Sequence, residues 1–165
     1  MQTSSLMPTG LDLTLPTFRR SSGQSPEAVP RPTLWTAEVI ADRAYFETLA
    51  AENGTTVPFP PYCPLRHIPL TGDRIQIGRR STSRGLTPEI DLCGPPCDPG
   101  VSHLHAVLVA RADGWDLIDP GSTNGVTLND DPGPVEANRP VHLHDGDCIH
   151  LGVWTTITLG RSAER

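Results

Sequence analysis

Arg79, Ser102, Thr123 and Asn124 are side chains that can hold an oxyanion without reacting with it. An arginine offers a planar fork of N–H donors, and the two hydroxyls and the amide offer shorter-range hydrogen bonds. These residues sit in three short pieces of chain: Ile77-Gly78-Arg79, Val101-Ser102-His103-Leu104-His105 and Gly121-Ser122-Thr123-Asn124-Gly125. Such groups suit a phosphate and the peptide that carries it. Ser102, His105 and Asp119 also invite a hydrolase reading, but no nucleophile elbow accompanies them. Cys93, Cys97, His103 and His105 are zinc-competent residue types, yet Cys-x-x-x-Cys with His-x-His is not a common zinc spacing. The expectation is a binding site with no catalytic residue, no metal and no cofactor.

Each piece lies where a strand-like run meets a turn. In Ile75-Gln76-Ile77 the apolar residues alternate into a core, Gly78 breaks the run and Arg79 emerges from its end. Ser102 follows the Pro- and Gly-rich run 94–100 and precedes the apolar run 105–110. Asp119 to Gly125 is dense in side chains that hydrogen-bond backbone, as a turn between strands requires. From Leu65 onward the chain is a series of short strands, with Asp113-Gly114 marking a hairpin and no helical periodicity. That pattern predicts an all-β sandwich or barrel whose loops gather at its ends.

Upstream the organisation changes. Residues 1–33 have the Ser, Thr and Pro composition of a disordered tail. Trp35–Ile40 alternates like a strand, 41–53 looks helical with Asn53-Gly54 as its stop, and several prolines follow to residue 64. The reading is a β-α extension over 34–64, docked through Trp35, Tyr45 and Phe46 on a domain spanning 65–161.

In order and spacing the motifs resemble the forkhead-associated (FHA) domain of actinobacterial type, on Gly78-Arg79, Ser102-His103-Leu104-His105, Ser122-Thr123-Asn124-Gly125 and Gly146-Asp147. The resemblance implies an 11-stranded sandwich of two sheets that reads phosphothreonine peptides, with the chain termini at the end away from the binding loops. It implies that Arg79 and Ser102 contact the phosphate, that Thr123 and Asn124 bind the ligand backbone, and that Gly78, His105 and Gly125 shape the site. Two positions depart from the family pattern. His103 replaces the usual arginine, so phosphate affinity should rise on acidification as the ring gains a second donor. Val126 replaces a common threonine and keeps the β-branched shape. Arg80 and Arg84 are expected to replace the lost charge or to select acidic residues flanking the phosphothreonine.

Composition narrows the partners. The 165 residues carry a net charge of −6, and all 13 basic side chains are arginine. An acidic surface disfavours nucleic acid and anionic lipid, and no run of 18 apolar residues is present. Met1–Pro16 lacks the charged and apolar regions of a secretory signal, so the four cysteines are expected reduced, in the cytoplasm. The expected role is an adaptor for a phosphothreonine-containing protein, a Ser/Thr kinase or its substrate. The alternative is phosphate-independent docking on the same fold.

Overall fold

The computed structural model describes residues 33–163, so all of the expected tail except Thr33 lies outside the described residues. In chain order the elements are β1 (Thr33–Ala41), α1 (Arg43–Asn53), β2 (Arg66–Leu70), β3 (Arg74–Gly78), β4 (Ile90–Asp91) and β5 (Ala106–Ala110). They continue with β6 (Trp115–Ile118), β7 (Val126–Leu128), β8 (Val141–Leu143), β9 (Cys148–Leu151) and β10 (Thr155–Ala163). One sheet runs β2-β1-β10-β9-β7 and the other β4-β3-β5-β6-β8. The fold is a β-sandwich of two five-stranded sheets with one short helix. Ten strands stand among the described residues, against the eleven implied by resemblance.

Period-two alternation builds the core. Ala37 and Val39 of β1, Ile75 and Ile77 of β3, and Ile157 and Leu159 of β10 are buried, and join Leu108, Leu117, Leu143, Ile149 and Leu151 in one cluster fed by both sheets. Fully burying each such aliphatic side chain contributes about 1.5–3 kcal/mol, so the cluster fixes the ends from which the loops spring.

The upstream segment differs from expectation. β1 pairs with β10 along its whole length, from Thr33↔Ala163 to Ala41↔Thr155, and with β2 from Trp35↔Leu70 to Val39↔Arg66. It is an interior strand, and a boundary at Leu65 would divide a single sheet. The physical reason is that Ala37 and Val39 face the core while the backbone groups on both edges of β1 need partners. The helix does pack on the sandwich. Asp42 caps it, accepting from Ala44 N (2.9 Å) and Tyr45 N (3.2 Å) and from the Thr156 hydroxyl (3.0 Å). Tyr45 stacks on His150 and donates to Gly152 O at 3.2 Å, while Phe46 meets Phe59, which meets Trp154. Burial, and then the Asp98 charge, push the Tyr45 hydroxyl up to about 12, so it stays a neutral donor.

Candidate functional site

Three loops meet beyond the ends of β3, β4 and β6, and backbone geometry dictates how closely. Gly78 is buried, and a methyl there would overlap His103 O and lie 2.8 Å from His103 C and 3.0 Å from Ser102 O. Only glycine lets the Ser102–His103 backbone cross β3 at that distance. Arg79 N then donates to Ser102 O at 3.1 Å, and His105 N donates to Ile77 O at 2.8 Å. The arginine and the serine are therefore tied together through main chain.

His105 joins the other two loops. It is fully buried; its Nδ1 accepts from Ser102 N at 2.9 Å and its Nε2 donates to Gly125 O at 3.0 Å. That pairing requires the neutral ring with its proton on Nε2. Burial lowers the His105 pKa from its ordinary value, with Gly125 O, Asp119 and Asp98 acting the other way. Gly125 adopts φ +77°, a left-handed conformation that a side chain would strain. Both His105 nitrogens are spent on backbone, and the ring addresses the Ser102 amide rather than its hydroxyl. Neither a Ser-His-Asp relay nor a histidine metal ligand fits that geometry.

Ser102 and Thr123 come together. Thr123 N donates to Ser102 Oγ at 3.2 Å, and the two hydroxyl oxygens lie 3.5 Å apart. Asn124 Nδ2 donates to Gly100 O at 2.8 Å, latching one loop to the next, and its Oδ1 has no hydrogen bond among the described residues. His103 Nδ1 lies 3.2 Å from Arg79 O. A carbonyl only accepts, so Nδ1 carries the proton there, and protonation of Nε2 would add a second donor. Arg79 is half-buried, and its Nε is fully buried with no hydrogen-bond partner.

The two flanking arginines separate. Arg80 is drawn to Asp91, through its backbone N (3.1 Å) and its Nε (3.4 Å). Arg84 stands exposed in the turn closed by the Ser81–Leu86 bridge and enters no ion pair among the described residues.

Two carboxylates, Asp91 and Asp98, escaped sequence reasoning, which places Asp119 only as a turn residue and a triad candidate. Asp98, 1% exposed, accepts from Gly100 N, Val153 N and Trp154 N and from the Thr155 hydroxyl, all within 3.1 Å. Asp119 accepts from Gly121 N (2.9 Å), Ser122 N (2.6 Å) and the Ser122 hydroxyl (3.0 Å). Asp91 holds Arg80 N and Cys93 N. A signal existed: Asp-Pro-Gly occurs at 98–100 and again at 119–121, and each aspartate accepts the N–H two residues on.

The FHA domain family model matches residues 75–152. An oxoglutarate dehydrogenase inhibitor of Corynebacterium jeikeium is 31% identical over 96 residues, covering 58% of this chain and 62% of that protein. An FHA domain-containing protein of Arabidopsis thaliana is 37% identical over 60 residues, 36% of this chain and 15% of that protein. The chain thus spans less than two thirds of either relative. A structure solved in a study of phosphothreonine-dependent FHA domain interactions superposes with a TM-score of 0.50 at 25% identity, over 79% of this chain and 99% of that one. The yeast Pml1 splicing factor, at 16% identity and a TM-score of 0.56 over 82% of this chain and 84% of that one, shares the fold.

Proposed function

Residues 75–152 are an FHA domain, and on that premise we propose that the protein is a non-catalytic reader of phosphothreonine peptides. Arg79 and Ser102 hold the phosphate, and Thr123 and Asn124 Oδ1 take the peptide backbone beside it. The observation that carries this reading is Arg79 Nε, a buried donor left without a partner on a residue whose backbone N is tied to Ser102 O. Leaving a buried donor unpaired costs about 1–3 kcal/mol, and a phosphate oxygen would relieve that cost with a charge-assisted bond. Phosphorylation adds about 1.5 to 2 negative charges to the partner, so the same threonine without phosphate has nothing to offer Arg79.

The site shape supports the assignment of supporting roles. Gly78 permits the crossing, and His105 and Gly125 set the spacing between the Ser102 and Thr123 loops. His103, with Nδ1 turned to Arg79 O, presents its Nε2 towards the phosphate. Arg84 is the better candidate for contact with acidic flanking residues, because Asp91 already neutralises Arg80. The partner is a Ser/Thr kinase or one of its substrates, and the setting is the cytoplasm, in keeping with four free cysteines. No helix among the described residues is long and apolar enough to cross a membrane.

The test is binding to degenerate peptide libraries carrying phosphothreonine, phosphoserine or neither. Retention of phosphothreonine peptides, lost in Arg79→Ala, is the expected result. Equal retention of the unphosphorylated library would replace this reading with phosphate-independent docking.

A further inference from the structure

We propose that Cys93 and Cys97 form a peroxide-sensitive dithiol, and that its closure to a disulfide weakens phosphate binding at Arg79. The coupling rests on the reading of Arg79 given above; the dithiol itself does not.

Cys93-Gly94-Pro95-Pro96-Cys97 forms part of the loop between β4 and β5, and the two sulfurs lie 3.9 Å apart. Both stems of this loop are fixed. Cys93 N is held by Asp91 Oδ1 at 2.9 Å, and the residue after Cys97 is Asp98, pinned to the β9–β10 turn. A short loop with anchored ends has little entropy left to lose on closure. Bringing the sulfurs to the bonding distance of about 2.05 Å requires a relative movement of about 2 Å. Cys97 is exposed and Cys93 half-buried, so an oxidant can reach the pair. The other cysteines lie elsewhere: Cys63 beside Pro64 O, and Cys148 beside Gly146 O and the Thr158 hydroxyl.

Asp91 connects the pair to the site, because its Oδ1 accepts from Cys93 N at 2.9 Å and from Arg80 N, next to Arg79, at 3.1 Å. Burial and the Cys93 neighbour raise the Cys97 pKa, and Arg79 partly offsets them. The Cys97 thiol is therefore mostly protonated at neutral pH and reacts slowly, as suits a response to high oxidant rather than to ordinary metabolism. The co-reactant is hydrogen peroxide or another hydroperoxide. The Cys97 thiolate attacks the O–O bond, forming a sulfenic acid and expelling hydroxide, which takes up a proton as water. The Cys93 thiolate then attacks the sulfenic sulfur, forming the S–S bond and releasing a second water. Two thiols lose two electrons and the peroxide gains them.

Closure moves Cys93 and, through the Asp91 carboxylate it shares with Arg80 N, loosens the Arg79–Arg80 backbone, whose motion the peptide must then freeze as it binds. By reciprocity, bound peptide shifts the dithiol–disulfide equilibrium towards the dithiol.

The test treats the full chain with hydrogen peroxide, maps disulfides by mass spectrometry without peptide, and titrates a phosphothreonine peptide against reduced and oxidised protein. A Cys93–Cys97 disulfide is expected, with affinity about fivefold or more weaker. Dithiothreitol should restore it, and Cys93→Ser should bind as the reduced protein does with or without peroxide. Free thiols at both positions after peroxide would overturn the proposal, as would equal affinity in the two states. Failure of the reduced protein to bind any phosphopeptide would overturn the coupling along with the phosphothreonine reading. The disulfide map distinguishes that result from failure of the dithiol.

Discussion

Two arginines at opposite places in the same sheet are treated differently by their surroundings. Arg111, in the β5–β6 hairpin, meets Asp116 at 2.6 Å, and the same carboxylate takes His142 at 2.9 Å. Arg79, at the end of β3, has an unpartnered buried Nε although three aspartates serve the loops around it. Asp98 and Asp119 are spent on backbone N–H groups and hydroxyls, and Asp91 on Arg80 and Cys93 N. At the hairpin, negative charge is used to satisfy a cation. Around the loops it is used to shape main chain, which leaves a cation electrically open. An anion site of this kind is made as much by where the carboxylates are committed as by the arginine itself.

The sharpest way to break the contrast is to remove a carboxylate that only shapes. Asp98→Ala strands four buried or part-buried donors and should cost about 3 kcal/mol or more of stability, read as a lower urea midpoint. Arg79→Ala should do the reverse. Phosphopeptide binding should fall by about tenfold to a hundredfold, the loss of a charge-assisted pair, with thermal stability unchanged or slightly raised. A smaller effect follows from His105. Its proton affinity is lower folded than unfolded, so the unfolded chain binds more protons in acid. Stability should hold above about pH 6.5, decline as pH falls below that value and level off below the folded pKa. A His105→Gln variant that declined equally would reassign this loss. Smallest of all is Arg111→Ala: the lost guanidinium is half-exposed and Asp116 stays paired with His142, so the cost is about 1 kcal/mol, with peptide affinity untouched.

The sandwich was legible because short apolar runs, alternating in β1, β3, β7 and β9, are separated by turn signals, and the loop cluster because Gly78-Arg79, Ser102 and Thr123-Asn124 each lie where such a run meets a turn. The role of β1 was not legible. Its alternation marks a strand, but nothing local in Ala37-Glu38-Val39 says that β10, more than a hundred residues on, will pair along its whole length. Asp91 and Asp98 were missed for a related reason. Asp98 reads locally as a turn former, and its bonds to Val153, Trp154 and Thr155 arise only once the sandwich has closed. The split between Arg80 and Arg84 likewise depends on Asp91, which the parallel β3–β4 pairing brings alongside.

The most direct measurement titrates one peptide, with its threonine phosphorylated or not, against wild type, Arg79→Ala and Arg111→Ala. Phosphate-dependent binding that is lost in Arg79→Ala and kept in Arg111→Ala is the predicted outcome. Wild-type affinity in Arg79→Ala would contradict the claim that this arginine is held open for an anion.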